Sequence, residues 1–384
     1  SSCTKQAVHL IGDGCAALSL AARSVELPQH LLTVVTPDGA PEKKDHIWGF
    51  WWIKNLDKAA KLARKKWHSW SIITSEGDAV MSSDLHAYHA LQRSKWETDC
   101  RQIAKKKGVN FVDQSNLNDA SDTQILDSRP PFVPVNQMFQ YFIGWEITAP
   151  LGSFESKTAI LMDFRCDQSR GIHFIYILPF SSSKALVEST MFAPKREPDI
   201  FFETAIENYL AEYCGVCDFS VMRIEKGGIP LGRIPLGKGE YIGFGGNGGA
   251  IRPSSGYAFA FIQKQILATI QQAKREKEKG NTSKILVIKC PHKLVDLWMD
   301  EVFITVLRQR PEIAPKLFLR MANVLDGDEY ALFLSGEAGW RIRLKVVMAM
   351  PKLVFIKALM FLLSGKLVPT KNIEVTEPRR ARGV

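Results

Sequence analysis

The chain opens on a short apolar run, Ala7-Val8-His9-Leu10-Ile11, then a glycine turn, then apolar positions at helical spacing over residues 18–23. A second unbroken apolar run, Leu31-Leu32-Thr33-Val34-Val35, follows. Apolar runs of this length, bounded by turn residues, predict strands buried on both faces, so the start reads strand, turn, helix, strand. Farther on, residues 159–162, 172–178 and 185–187 predict a second, largely antiparallel sheet, and residues 201–213 an amphipathic helix. Beyond a second group of glycines the pattern turns helical, over 257–279, 294–307 and most of 315–363. The mixed charges of 274–279 suit a solvated helix end before Gly280, and the basic tail at 378–384 is expected to fray.

The first turn, Gly12-Asp13-Gly14-Cys15-Ala16-Ala17, has the G-x-G-x-x-A spacing of a dinucleotide-binding turn in the strand–helix context that such a motif requires. Gly12 permits the tight turn, Gly14 lets the backbone approach a pyrophosphate, and the small Ala17 lets helix and sheet pack closely. The helix N-terminus then faces the phosphate charge. One element departs from the pattern: the acid that ordinarily ends the second strand and accepts the ribose hydroxyls is replaced by Thr36-Pro37, leaving Asp38 as its displaced candidate. The second glycine group contains Gly245, Gly246, Gly248 and Gly249, followed by Pro253, Ser254, Ser255, Gly256 and Tyr257 and then a helical run. Such a loop allows close approach to a flat or anionic group, with the positive end of the next helix over it. Together the two groups point to FAD, its ADP end at residues 12–17 and its flavin end near 245–256. The predicted fold class is α/β, a Rossmann-type FAD-binding domain with an antiparallel-sheet substrate domain and a helical C-terminal region. The expected division is 1–71 for the first FAD-binding segment, 72–240 for the mixed segment with the substrate sheet, 241–280 for the return to the FAD domain, and 281–384 for a helical region suited to a membrane surface.

Composition changes this picture little. The 384 residues suit two joined subdomains, and 46% hydrophobic with 23% charged residues is ordinary for a globular chain. A net charge of +10 invites an anionic partner. The basic residues are dispersed and no recognition motif accompanies them, which argues against nucleic acid. Seven scattered cysteines suggest reduced thiols in the cytosol, and Cys214-x-x-Cys217 lacks the second pair that a zinc site needs, so no metal is expected. No secretory leader pattern is visible at the start.

A series of short strings carries a resemblance. Asp45-His46-Ile47-Trp48-Gly49-Phe50-Trp51 resembles the D-x-T-W-x-F-W/H signature of bacterial lycopene cyclases. Gln140-Tyr141-Phe142-Ile143-Gly144-Trp145-Glu146 is similar to their H/Q-x-F-x-G-W segment, and Leu161-Met162-Asp163-Phe164 to the M-D stretch after it. Tyr176-Ile177-Leu178-Pro179 and Leu186-Val187-Glu188-Ser189-Thr190 resemble their Y-x-L-P and L-(I/V)-E-(D/E)-T pair. Gly228-Ile229-Pro230 and Pro253-Ser254-Ser255-Gly256-Tyr257 complete the series in the same order. The resemblance spans about residues 7–260, with weaker helical similarity to about 362.

It implies a redox-neutral isomerisation. A terminal double bond of acyclic lycopene is protonated, the neighbouring alkene captures the cation to close a ring, and a proton is lost. Reduced FAD is required, with NAD(P)H or another donor as reductant. A carbocation needs a water-free pocket with π faces, which Trp48, Phe50, Phe142, Trp145 and Tyr257, with Trp51 and Trp52, are candidates to supply; core packing is the alternative for each. Glu188 matches the acidic motif and is the candidate general acid, with Asp163 and Glu146 in reserve. Ser189 stands where the second acid is usual. His46, where Arg is commoner, is a candidate contact for phosphate or flavin.

A substrate as insoluble as lycopene implies entry from lipid, and residues 344–363 are apolar but interrupted by Lys345, Pro351, Lys352 and Lys357. That is too broken for a span of about 20 apolar residues. It suits a lipid-facing amphipathic helix with snorkelling lysines, or equally a helix pair covering the substrate domain. The expectation is a peripheral protein on the cytoplasmic membrane face. Two other readings stay open: an FAD-dependent monooxygenase or reductase acting on an apolar substrate, and a non-catalytic carotenoid or lipid carrier.

Overall fold

The computed structural model describes residues 4–117, 122–236, 241–281 and 283–365. The basic tail at 378–384 lies outside them. The first apolar run forms the Gln6–Ile11 strand, at the centre of a five-stranded parallel sheet. Its neighbours are His30–Thr36 and then Asn110–Asp113 on one side, and Gln124–Asp127 and then the short Ile242–Gly243 on the other. The helix Cys15–Ala22 is apolar nearly all round, and Ala16 to Ala21 are all buried. It has to be, because it is packed against the sheet and also against the helices Arg93–Lys106 and Phe259–Glu278. Trp96 Nε1 donates to Ser19 Oγ at 2.9 Å, satisfying both groups inside that layer.

The second sheet has seven strands in the order Ser220–Pro230, Phe139–Thr148, Lys184–Ala193, Ile172–Pro179, Thr158–Asp163, Ser69–Thr74, Gly77–Ser82. Its pairings are antiparallel except that Thr158–Asp163 runs parallel to Ser69–Thr74. Both faces are covered. The helix Asp199–Cys214 packs on Ile143, Trp145, Ile147, Ile175 and Val187 of one face. The other face meets a small three-stranded sheet, Ile47–Trp51, Tyr88–Gln92 and Lys65–Trp67, and the C-terminal helices. Those helices are Leu294–Gln309, Ala314–Val324, Gly327–Leu334, Trp340–Ala349 and Lys352–Leu363.

The α/β class and the three-part architecture are as the apolar pattern predicts. The domain limits differ in detail. A cut after residue 71 falls inside the Ser69–Thr74 strand, and the parallel sheet takes Asn110–Asp113 and Gln124–Asp127 from within 72–240. Strand partners distant in sequence decide where a sheet ends, and no local pattern records them. Two buried ion pairs tie the helical region down. Arg252 Nε and Nη2 bind Asp300 at 3.1 and 3.3 Å, and Arg343 Nε binds Asp296 at 2.7 Å.

Candidate active site

The three layers enclose one long cavity of about 1140 Å³. It begins at the C-terminal ends of the parallel strands, where ligands of open α/β sheets bind. Gly12, Asp13, Gly14, Cys15 and Ala16 form its wall there. Gly12 has φ +113°, and a side chain on it would collide with Ser128, so the position requires glycine. No side chain caps the Cys15–Ala22 helix, whose first N–H groups are left for a ligand. Ala17 is fully buried beneath the turn and packs rather than lines.

The expected displaced acid, Asp38, does not line the cavity; its backbone N–H donates to Gln114 Oε1 at 3.2 Å on an exposed loop. A different carboxylate reaches the end of the second strand. Asp13, inside the glycine turn, accepts from Thr36 Oγ1 at 3.4 Å and pairs with Lys43 Nζ at 2.9 Å. Burial pushes its carboxyl up, but Lys43, Arg101 and Thr36 together outweigh burial and hold it below the usual carboxylate range. The sequence pattern looks for an acid after the strand, so it passes over one supplied by the turn.

The second glycine group forms the next stretch of wall, where Gly246, Asn247, Ser254, Ser255 and Gly256 face the cavity. Gly245, Gly248, Gly249 and Pro253 lie behind that wall and hold its shape. A Cβ on Gly245 would come within 2.5 Å of the Ala16 Cβ, so the two glycine turns touch. Gly245 N donates to Gln265 Oε1 at 2.8 Å, and Gln265 Nε2 donates to Gly248 O at 3.0 Å. The N-terminus of the Phe259–Glu278 helix opens beside them, with Ala258 and Phe259 on the lining. His46 also lines the cavity; burial, with the charges of Arg93 and Arg223, pushes it down to about 4, so it is neutral at pH 7. These features fit a dinucleotide cofactor: two glycine walls without side chains, two helix N-termini, and Lys43 near the first turn.

Past His46 the cavity becomes aromatic and acidic. Register places Glu225, Gly144, Glu188 and Tyr176 in one row across four adjacent strands, all on the same face of the seven-stranded sheet. Gly144 is the gap that admits the two acids. A Cβ there would lie 3.2 Å from Glu225 Cγ and 3.3 Å from Glu188 Cβ. Both glutamates are nearly sealed from solvent yet line the cavity. Burial and their mutual repulsion push Glu188 far above the ordinary carboxylate range; burial also raises Glu225, opposed by Arg223 and the Ile47 N–H. Three tyrosine hydroxyls close the row: Tyr88 Oη is 2.7 Å from Tyr176 Oη and 3.2 Å from Tyr257 Oη. Trp51 packs against Tyr88 and Tyr257 with ring centroids at 4.7 and 5.3 Å.

Strand alternation sorts the remaining candidates. Trp48, Trp51, Phe142 and Tyr257 line the cavity. Trp145 points to the opposite face and is buried against the Asp199–Cys214 helix. Phe50 is stacked on His89 and tilted against Phe259 behind the wall, and Trp52 packs near His86. Asp163 lies away from the cavity, fully buried, its carboxylate held by Arg165 at 2.7 Å and by the Tyr209 hydroxyl. That arrangement ties the sheet to its outer helix and leaves no open carboxyl edge. Glu146 is likewise occupied, by Arg64 and by Arg223 at 3.1 Å. Ser189, beside Glu188 in sequence, faces the outer helix and lies 2.8 Å from His173 Nε2. An acid at that position in this chain would be turned away from the cavity. Residue patterns missed Glu225 and Tyr88. Arg223-x-Glu225 at strand spacing was the available signal for the former; nothing local marks the latter.

The far end of the cavity lies among Trp298, Met299, Val347, Phe355, Ile356 and Leu359 of the C-terminal helices. On the last two of those helices, Trp340, Leu344, Leu353 and Met360 are 73%, 61%, 75% and 63% exposed, a larger set of apolar side chains than singly scattered ones. Among the described residues no single helix is long and apolar enough to cross a membrane. Trp340–Ala349 and Lys352–Leu363 reach that length only together, bent by 107°.

Comparison with known proteins agrees with this arrangement. Over 104 residues the chain is 31% identical to a lycopene beta-cyclase of Pantoea ananas, a stretch covering 24% of each protein. The chain thus spans about a quarter of that relative's length in the match. The fold is shared with a geranylgeranyl bacteriochlorophyll reductase-like protein of Thermoplasma acidophilum, at TM-score 0.58 and 11% identity, covering 93% of this chain and 99% of that one. The family model described as lycopene cyclase protein matches residues 7–359, and the chain therefore belongs to that family.

Proposed function

We propose that the protein cyclises lycopene or a closely related acyclic carotenoid, with Glu188 as the proton donor and FAD held between the two glycine walls. The observation that carries this reading is a carboxyl nearly sealed from solvent, set beside a second one and pushed above the ordinary carboxylate range, that lines the aromatic stretch of a cavity beginning at a dinucleotide-type turn. Gly12, Gly14 and the open helix end would hold the pyrophosphate, and Asp13 the ribose in place of Asp38. Gly246, Ser254, Ser255 and Gly256, with the Phe259–Glu278 helix end, would hold the flavin, with His46 beside it. When bound and reduced, by NAD(P)H or another donor, FAD supplies negative charge beside the developing cation.

The chain's own residues do the rest. Glu188 gives its proton to the terminal alkene, and the next alkene closes the ring onto the cation. The aromatic faces of Trp48, Trp51, Phe142 and Tyr257 stabilise that cation and exclude water, which would otherwise trap it as an alcohol. A proton lost from the ring restores the acid, so atoms and electrons balance without net redox change. Exposed apolar helices around the far end of the cavity support entry of the substrate from lipid, hence a peripheral position on the cytoplasmic membrane face. The test is product analysis with flavin-reconstituted protein and lycopene in liposomes. Glu188→Gln is expected to bind flavin and form no cyclic product. Wild-type turnover by that variant sinks the assignment, and consumption of one NAD(P)H per product favours a reductase or monooxygenase instead.

A further inference from the structure

We propose that Glu188 and Glu225 form a single acid, two carboxyls sharing one proton over Gly144, in which Glu225 is the positioning residue that keeps that proton on Glu188. This rests on the reading that Glu188 is the proton donor and adds the group that controls it. Neighbouring strands lie about 4.8 Å apart, so residues two strands apart are separated by about 10 Å at their Cα atoms. Glu225 and Glu188 bridge that gap only because the residue between them has no side chain. Both side chains close over that gap, with Glu225 Cγ and Glu188 Cβ at 3.2 and 3.3 Å from where a Gly144 Cβ would stand. Two buried carboxyls set side by side favour holding one proton between them, since two carboxylates repel and have none to donate.

The surroundings decide which carboxyl carries it. Glu225 Oε2 accepts from Arg223 Nη1 at 2.6 Å and from the Ile47 N–H at 3.2 Å. Both donors favour its ionised form. Glu188 Oε1 accepts from the neutral Thr190 hydroxyl, at 2.8 Å. The other charged or titratable groups do not reverse this. Arg223 is shared with Glu146, the hydroxyls of Tyr88, Tyr176 and Tyr257 are buried and held neutral, and His46 next to Ile47 is uncharged. In the step itself the Glu188 O–H bond breaks as a C–H bond forms on the alkene, leaving two adjacent carboxylates facing the cation. Their repulsion draws the ring proton back to Glu188, and the pair returns to its starting state.

The experiment compares pH–rate profiles of wild type and Glu225→Gln with lycopene in liposomes, alongside infrared titration of the protonated-carboxyl band. Glu225→Gln removes the like charge and leaves an amide donor, so the alkaline limb is expected to move toward acid by about one pH unit or more. In Glu188→Gln, the protonated-carboxyl band should titrate away at lower pH than in wild type, because the remaining Glu225 keeps Arg223 and the Ile47 N–H and has lost its carboxyl neighbour. An unmoved alkaline limb in Glu225→Gln overturns the pairing. So does a protonated-carboxyl band in Glu188→Gln that titrates as in wild type, a measurement that needs neither turnover nor a folded Glu225 variant. Wild-type turnover by Glu188→Gln instead removes the donor reading beneath it, so the two failures are told apart.

Discussion

The buried pair Arg252–Asp300 joins the second glycine wall to the helical region, and its removal gives the sharpest stability test. Arg252 binds Asp300 through two hydrogen bonds and donates a further one to the Phe333 carbonyl, while Asp300 also accepts from the Ser254 N–H at 3.3 Å. Both side chains are at most 5% exposed, so little solvent is available to either when its partner is lost. Breaking such a pair from one side costs about 3–5 kcal/mol, because the other charge stays buried and unpaired. That is a large part of the 5–15 kcal/mol that typically separates folded from unfolded protein. Asp300→Asn and Arg252→Met should each show this loss in urea unfolding followed by tryptophan fluorescence. Arg252→Met combined with Asp300→Leu should recover at least about 2 kcal/mol, since no charge is then stranded. Because Ser254 lines the cavity, the single variants should also weaken flavin binding. Single variants within about 0.5 kcal/mol of wild type, or strictly additive losses, would refute the reasoning.

Two further outcomes are expected. Gly144→Ala forces a methyl between Glu188, Glu225 and Leu186, each 3.2–3.3 Å away, and should cost about 1–3 kcal/mol of stability and most of the turnover; Gly339→Ala, with nothing within 4 Å, is the matched control in unfolding and product assays. Leu353→Asp with Met360→Asp, both at exposed positions, should leave stability within about 1 kcal/mol and reduce co-sedimentation with anionic liposomes; unchanged sedimentation removes the membrane-docking proposal.

Much of this molecule is written locally. The strands at Gln6–Ile11 and His30–Thr36, the glycine turn between them and the later helices follow from periods of two and 3.6 and from turn chemistry, all of which short windows contain. The order of motifs likewise carries the family, because the strings at 45–51, 140–146 and 186–190 keep their sequence even where single residues depart. Alternation alone shows that Glu188 and Ser189 face opposite ways.

Which of those ways leads to the cavity is a tertiary fact. The sheet could present either face to the C-terminal helices until the Asp199–Cys214 helix claims one, and that choice sends Glu188 and Phe142 inward and Trp145 and Ser189 outward. The same is true of charge. Asp163 and Glu188 are both buried acids on strands of one sheet, but Asp163 is met by Arg165 and Tyr209, whereas Glu188 meets another carboxyl. A proton stays on a carboxyl when its neighbours fail to compensate its charge, and those neighbours arrive from strands far apart in the chain, such as Tyr88–Gln92 and Lys184–Ala193 for Tyr88 and Glu188. The sequence by itself determined the elements, the nucleotide turn and the candidate acid. The second carboxyl beside Glu188, the carboxylate beside the second strand and the course of the cavity were decided only when distant segments packed together.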